Sequence, residues 1–492
     1  MQASKGGSRR SGLALVVRPC ALAAAGSLVG FSLSLAVTAH ANGRMAAGHQ
    51  LVVSPTDPTL FVMETTFGLL ISHDSGNTFG WVCESAVGYG DGGVQDPSIG
   101  LTPTFVLAAM RQGLSLSSDL GCSWKLALAD PVIDLVVRAD DPHTVLALTS
   151  KSAGVDDAGE NLSVTRILVT HDDGASWSQQ GAFIDPAVQV ETIDVAPSDS
   201  NRIYIGGARR RATTDGGTER VAVVLASTDG GVSYSESDIA LMAPYETNQG
   251  AAFVSAVDPS NPDRVYVRIA DIAVDRLIVS DDRGATFRTA YQGSGNLLGF
   301  ALSSDGSKVF VGGPVDGVVL AATTIADSGD ALQFVHQSSA RVSCLSWIGG
   351  SLYACMGEPE HPFVPQLGVS TDDGVTFATK FPFACTAGAL ACPGGELSMR
   401  CNPGLPQLRA SIGSCDAGTA QSDAGGAAQD AGSDGGGGVW SSPEPQRGCR
   451  CGAGGAPATG GLSALVLLAT LLLRKRRPLN RTDRSRVGGR LG

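Results

Sequence analysis

The middle of the chain alternates short apolar runs with turns rich in Asp, Gly, Asn and Pro. The pattern is clearest at residues 251–257, 264–269 and 276–279, which are separated by polar segments and followed by a fourth run that begins at Phe287. Short runs of this kind, dense in Val, Ile and aromatic residues, predict β-strands and not helices. Four such strands joined by short connections predict one four-stranded antiparallel blade of a propeller.

The same pattern recurs from Met45 to about Phe383. Further first strands are predicted near Gln50, Val94, Val132, Val188, Leu297 and Val342. Together with the strand at residues 251–257, they predict an all-β, seven-bladed β-propeller over residues 42–383. Propellers of six or eight blades are the alternatives.

An octet with the pattern Ser/Thr-x-Asp-x-Gly-x-Ser/Thr-aromatic occurs between the third and fourth strands of six blades. Its six acids are Asp74, Asp119, Asp172, Asp229, Asp282 and Asp372. We expect each carboxylate to accept backbone N–H bonds two residues on and each Gly to adopt a positive φ. The closing aromatic residue of each octet starts the next strand and can bury a large apolar face. Successive octet acids lie about 50 residues apart as far as Asp282, but the next one, Asp372, follows 90 residues later. This gap predicts a sixth blade with a degenerate octet at residues 325–329. We interpret the six acids as structural.

These octets resemble the Asp box, or BNR repeat, of sialidases and sortilin-type receptors, and this resemblance implies the propeller fold. A sialidase would also need an arginine cluster, usually begun by Arg-Ile-Pro near the first blade. The chain contains no Arg-Ile-Pro, and only Arg44 lies between the predicted signal and the first octet. The resemblance therefore extends to the fold and not to the catalytic set. We assign no catalytic residue, no metal and no cofactor.

Both ends of the chain predict export and attachment. Residues 1–41 have a basic start, an apolar middle and an Ala-His-Ala end, which is typical of a signal peptide. Residues 448–477 combine a motif containing Cys449 and Cys451, an apolar run and a basic stop. They resemble the MYXO-CTERM sorting segment of myxobacterial surface proteins, and the resemblance implies processing or lipidation at one of these cysteines. A plain membrane anchor is the alternative. Residues 478–492 form a basic tail.

The cysteines between these ends predict disulfides. Residues 384–415 form a Cys-rich segment with Cys385, Cys392, Cys401 and Cys415, where we expect two disulfides because paired C-x-x-C metal motifs are absent. Residues 416–447 form a flexible Gly/Ala/Asp linker.

A further disulfide is predicted inside the seventh blade. Gly349-Gly350 suits a two-residue hairpin turn, which places Cys344 opposite Cys355. We expect their Cα atoms to lie about 5.5 Å apart, a distance that a disulfide tolerates.

The net charge of the chain disfavours some classes of partner. The net charge is −12, and the body is more acidic still because both of its expected removable ends are basic. Such a body disfavours nucleic acid and anionic membrane surfaces as ligands. Contact with a membrane is expected only through the C-terminal segment or a lipid.

Long connections predict where a ligand binds. In an antiparallel blade the octet turns lie at one end, and the long loops emerge at the other. These loops carry the candidate ligand-binding residues Tyr89, Arg209, Arg210, Arg211, Tyr245 and His361. Because binding residues concentrate on loops held by a rigid scaffold, we predict a binding module for a glycan or a surface protein. A carbohydrate-active hydrolase and an assembly factor that docks onto a surface protein are the rival interpretations.

Overall fold

A computed structural model describes residues 45–90, 96–156, 161–214, 216–239, 250–270, 275–322, 332–357 and 364–415. Their strands form seven four-stranded sheets, in each of which consecutive strands pair antiparallel. The prediction of a seven-bladed propeller is confirmed. The predicted signal, linker and tail, the degenerate octet at residues 325–329 and Val94 all lie outside the described residues.

The strands of the first four blades follow one another along the chain. In the first two blades they are β1 (Gly48–Val53), β2 (Phe61–Thr65), β3 (Gly68–Ser72), β4 (Gly80–Val82), β5 (Ser98–Leu101), β6 (Val106–Met110), β7 (Gly113–Ser117) and β8 (Lys125–Leu128). In the third and fourth they are β9 (Val132–Val137), β10 (Val145–Val155), β11 (Asn161–Thr170), β12 (Ser178–Ile184), β13 (Gln189–Val195), β14 (Ile203–Ala212), β15 (Thr218–Ser227) and β16 (Ser235–Ile239).

The last three blades complete the ring. Their strands are β17 (Ala251–Val257), β18 (Val265–Ala270), β19 (Arg276–Ser280), β20 (Arg288–Gln292), β21 (Gly299–Leu302), β22 (Lys308–Gly313), β23 (Gly317–Ala322), β24 (Val335–Ser338), β25 (Val342–Ile348), β26 (Ser351–Gly357), β27 (Pro365–Ser370) and β28 (Ala378–Pro382). The helices are α1 (Glu84–Val87), α2 (Glu396–Cys401) and α3 (Leu405–Ile412), with 3-10 turns at Phe383–Cys385 and Asn402–Gly404.

Burial depends on a strand's position in its blade. The middle strands β2, β3, β6 and β7 are buried along their whole length, because each blade is covered on both faces by its neighbours. The outermost strands β8 and β12 are largely exposed. The core therefore consists of apolar layers between successive blades, such as the layer that joins Ile167 and Val169 to Ile205 and Val223.

Among the described residues, no strand crosses the seam between the seventh blade and the first. The first blade is built only from β1 to β4 and the last only from β25 to β28. Side chains bridge this seam, because Ser343 Oγ donates to the carbonyl of Gly48 at 2.7 Å and Ser346 Oγ donates to that of Leu51 at 3.0 Å.

The segment after β28 packs against the first two blades and is bound to them covalently. Cys401 pairs with Cys83 of the first blade, and Cys392 pairs with Cys122 of the second. A short parallel bridge also joins Ala389 to Trp81. The chain that leaves the seventh blade therefore holds the ring closed across the seam.

These pairings correct one expectation for the Cys-rich segment. Only Cys385 and Cys415 pair within it, whereas Cys392 and Cys401 bind partners 270 and 318 residues away in sequence. Long-range packing of the segment on the propeller determines those partners. Within the seventh blade Cys344 is bonded to Cys355, with Cα atoms 4.9 Å apart, in the predicted register.

Among the helices in the described residues, none is long and apolar enough to cross a membrane. The apolar run at residues 462–473 lies outside that part of the chain.

Candidate functional site: the central cavity

A cavity of about 1160 Å³ lies at the centre of the ring. Every blade contributes to its wall from its first strand or the residues just before it, as Gln50, Ser98 and Gln189 illustrate. These residues belong to the beginnings of the inner strands. The cavity therefore lies at the end of the ring that carries the long connections, opposite the octet turns. Strands β10 and β11 also contribute Ser152 and Asn161 to its wall.

A second cavity is smaller and has a more apolar wall. Its volume is about 350 Å³, and it is bordered by the later halves of the inner strands of the first three blades, including Val52, Val53, Val136 and Val137. The polar groups that can bind a ligand are thus concentrated in the larger cavity.

A repeated irregularity of the inner strands shapes the cavity wall. In five blades the pairing between the first and second strands skips one residue of the first strand, which is a β-bulge. The skipped residues are His49, Ile133, Glu191, Ser255 and Ser343. The first four of them line the cavity. Because a bulge changes the direction of a side chain, these positions supply the wall with groups that simple strand alternation would place elsewhere.

Acidic side chains tie neighbouring inner strands together. Asp134 Oδ1 accepts a hydrogen bond from Ser98 Oγ at 2.7 Å, and its Oδ2 accepts one from the Ile193 amide at 3.0 Å. Asp194 Oδ2 accepts the Val257 amide at 2.9 Å. Burial raises the pKa of each carboxyl to about 6, against the opposing effect of these hydrogen bonds.

Polar side chains make the same kind of bridge between other blades. The Gln50 amide group exchanges hydrogen bonds with the backbone of Ile99 at 2.8 and 3.0 Å, and Thr192 Oγ1 accepts the Val254 amide at 2.7 Å. The inner strands expose backbone groups that no neighbouring strand pairs. These side chains satisfy them and hold the wall rigid.

The charged side chains of the wall include Glu191 and Arg268. Burial raises the pKa of Glu191, while the nearby charges of Arg220 and Arg111 act in the opposite direction. On another side the Arg268 guanidinium lies 4.9 Å from the centre of the Phe253 ring and donates to the Leu297 carbonyl at 3.0 Å. Burial lowers the pKa of Arg268.

The predicted ligand-binding residues lie in different environments in the structure. Tyr89 is only 5% exposed and packs in the apolar core. Arg209 is paired with Asp185, which follows the third blade, and with Glu236 of its own blade. Arg211 is paired with Glu236 and Asp238, both in its own blade. Arg210 is exposed on the same hairpin, where it donates to Thr218 Oγ1 at 3.4 Å. None of these four borders the central cavity. Tyr245 and His361 lie outside the described residues.

The six octets share one hydrogen-bonding arrangement. In the third blade Thr170 Oγ1 donates to Asp172 Oδ1 at 2.6 Å and accepts the Gly174 amide at 2.9 Å. Asp172 then accepts both the amide and the hydroxyl of Ser176, at 2.8 and 2.7 Å. The same bonds recur around the octet acids Asp74, Asp119, Asp229, Asp282 and Asp372.

Two details of the octet differ from the sequence expectation. The carboxylate accepts the amide four residues on, and the residue before the Gly is also left-handed, with φ of 61° at Asp173. The chain reverses over two left-handed residues, and this brings the second hydroxyl back to the acid. Hydrogen bonds from Thr170 and Ser176 lower the pKa of Asp172 to about 2.

The polar wall escaped prediction because it depends on the bulges and on contacts between blades. One signal was available. Glu191 interrupts the alternation of polar and apolar residues in β13, and Asp134 lies in an inner strand that is otherwise apolar.

Comparisons with known proteins identify no family for this chain. No family model matches the chain, and no curated protein matches it. Among solved structures it is similar to an ancestral GH74 enzyme, with 12% identity, a TM-score of 0.47, and coverage of 68% of this chain and 46% of that one. It is also similar to a puromycin-hydrolysing peptidase of Mycobacterium tuberculosis, with 12% identity, a TM-score of 0.44, and coverage of 69% and 56%.

A GH74 enzyme of Niastella koreensis gives 15% identity, a TM-score of 0.32, and coverage of 71% and 65%. This chain thus spans less than two thirds of either GH74 enzyme. Likenesses at this level say nothing about activity. The class that the fold defines is the seven-bladed β-propeller.

Proposed function

We propose that this chain is an exported binding module, held at the cell surface by its C-terminal segment, that takes a polar ligand into its central cavity. The carrying observation is the cavity of about 1160 Å³ with a hydrophilic wall on the face of the long connections. Four disulfides support the proposal of export, because such bonds persist in oxidising compartments.

The wall favours a ligand rich in hydroxyl groups. Hydroxyl and amide side chains border the cavity at Ser98, Ser152, Asn161, Gln189 and Ser255. Small apolar ligands usually occupy pockets lined mainly by apolar side chains, which this wall is not. A glycan is therefore the first candidate ligand, and an exposed polar segment of another surface protein is the second.

The hydrolase alternative gains nothing from Asp134, which lines the cavity, or from Asp194 on the next inner strand. Both Asp134 and Asp194 accept backbone amides of the next blade, so their carboxylates are already engaged in holding the ring together. A positioning role within the scaffold accounts for both of them.

A glycan array probed with the purified, oxidised protein tests the proposal. We expect retention of one group of glycans without turnover. Replacing Arg111, which borders the cavity, by Asn should weaken retention. The matched control is Arg283→Asn, which removes a 60% exposed arginine from an octet turn at the opposite end of the ring. Turnover of a glycan would favour the hydrolase.

Equal effects of the two variants would place binding elsewhere. If no glycan is retained, a pull-down from surface extracts with the same pair of variants tests the protein ligand.

A further inference from the structure

A histidine and two carboxylates from separate segments meet at the cavity wall. His49 lies in β1, Glu64 lies in β2, and Asp96 lies just before β5 of the second blade. All three border the central cavity. One ligand atom of each residue lies within 4.8 Å of those of the other two.

The β-bulge of the first blade brings the histidine to this place. In the pairing of β1 with β2, Gly48 faces Thr65 and Gln50 faces Glu64, so that His49 is the residue skipped by the ladder. A regular strand would direct residues 49 and 50 to opposite faces. The bulge instead places His49 beside Glu64, which is the residue of β2 that pairs with Gln50.

The distances fit ligands of a common metal ion better than they fit hydrogen bonds. His49 Nδ1 is 3.4 Å from Asp96 Oδ2 and 3.6 Å from Glu64 Oε2. Hydrogen bonds between nitrogen and oxygen are usually about 2.7–3.2 Å long. Two ligands held at about 2.1 Å from a tetrahedral ion are about 3.4 Å apart.

The burial of the two carboxylates gives an electrostatic reason for a cation at this place. The Glu64 side chain is 2% exposed and that of Asp96 is 14% exposed, while His49 remains 39% exposed at the cavity. Two carboxylates held this close in a poorly hydrated place repel each other, and a divalent cation between them offsets that repulsion.

We propose that His49, Glu64 and Asp96 bind one divalent transition-metal ion, of which Zn²⁺ is the representative. Imidazole nitrogen combined with carboxylate oxygen suits Zn²⁺ better than it suits Ca²⁺ or Mg²⁺, which prefer oxygen ligands alone. Three protein ligands leave a fourth position that faces the cavity, where a ligand oxygen or water completes the coordination. Sequence spacing does not reveal such a site, because the three ligands lie far apart in the chain. His49 lies at a bulge of β1, Glu64 lies in β2 and Asp96 lies just before β5.

Metal binding is measured without any cavity ligand, so the result is independent of the proposed function. The probe is Zn²⁺ alone, titrated calorimetrically at pH 7.5 into the full chain after chelator treatment. Cys20, Cys449 and Cys451 are replaced by Ser in every sample, because thiolates outside the described disulfides also bind Zn²⁺. We expect one ion per chain.

Two ligand variants and one matched control complete the experiment. His49→Ala and Asp96→Asn should each weaken Zn²⁺ binding at least tenfold, and an excess of Ca²⁺ should not compete. The control is His143→Ala, because His143 also lies beside a carboxylate, at 2.8 Å from Asp173, but in the octet end of the ring. Thermal melting without metal checks that each variant is folded.

The proposal is overturned if the chain binds no stoichiometric Zn²⁺. It is also overturned if folded His49→Ala and Asp96→Asn variants bind as well as the parent, or if His143→Ala causes the same loss.

Discussion

The disulfides that close the ring give the most quantitative prediction. Cys83–Cys401 and Cys122–Cys392 join the segment after the last blade to the first two blades, across a seam that no strand of the described part of the chain crosses. The perturbation is replacement of all four of these cysteines by Ser. The comparison variant replaces Cys344 and Cys355, whose bridge closes only a local hairpin.

The sequence separations determine the expected size of the effect. In the chain-entropy model, closing the 270-residue loop of Cys122–Cys392 restricts the unfolded chain by about 5.6 kcal/mol. With that bridge present, Cys83–Cys401 closes a remaining loop of about 48 residues, worth about 4 kcal/mol more. The hairpin bridge, with a separation of 11, is worth about 2.8 kcal/mol.

Chemical denaturation and hydrogen exchange measure the outcome. Loss of both seam bridges should remove about 9 to 10 kcal/mol, which is comparable with the whole stability of many domains. Exchange should rise first in β1 and β25, the inner strands on either side of the seam, and later in β13 and β17 on the far side of the ring. The reasoning is refuted if the fourfold variant loses no more stability than the Cys344 and Cys355 variant, or if exchange rises evenly around the ring.

Three further predictions follow from the acids, the octets and the tail. Because burial raises the pKa values of Asp134 and Asp194 to about 6, the folded protein retains protons that the unfolded chain releases near pH 4. The free energy of unfolding should therefore fall by about 1.4 kcal/mol per group as the pH rises from 5 to 7.5. A urea midpoint that is the same at both pH values would contradict this. Thr170→Val should lower the free energy of unfolding by about 1–3 kcal/mol, because the buried Gly174 amide loses its acceptor. Thr170→Ser keeps the hydroxyl and should retain most of that stability in thermal melts. Equal melting of the two variants would exclude the hydroxyl as the cause. Replacing Cys449 and Cys451 together by Ser should abolish surface retention in fractionated cells, and normal retention would leave the plain-anchor alternative.

Local patterns predicted the blades well because strands and tight turns are specified by neighbouring residues. The predicted strand at residues 251–257 coincides with β17, and the predicted start at residue 132 coincides with β9. The Cys344–Cys355 pairing followed from a hairpin in which two glycines fix the register.

Features that depend on distant parts of the chain were not predictable in the same way. The partners of Cys392 and Cys401 follow from how the last segment packs on the first two blades. The cluster of His49, Glu64 and Asp96 depends on one bulge and on the meeting of two blades. Tyr89 was expected on a binding loop because loops are usually exposed, but its ring fills the core beside α1. Local sequence does not encode which loop side chains the scaffold buries.

The measurement that tests the binding site most directly is an equilibrium titration of a retained glycan into three proteins. They are the parent chain, Arg111→Asn at the cavity and Arg283→Asn at the opposite end of the ring. Binding through the central cavity predicts one site per chain, with affinity at least tenfold lower in Arg111→Asn and unchanged in Arg283→Asn. Unchanged affinity in a folded Arg111→Asn protein, together with a loss in Arg283→Asn, would contradict it and move the site to the octet end.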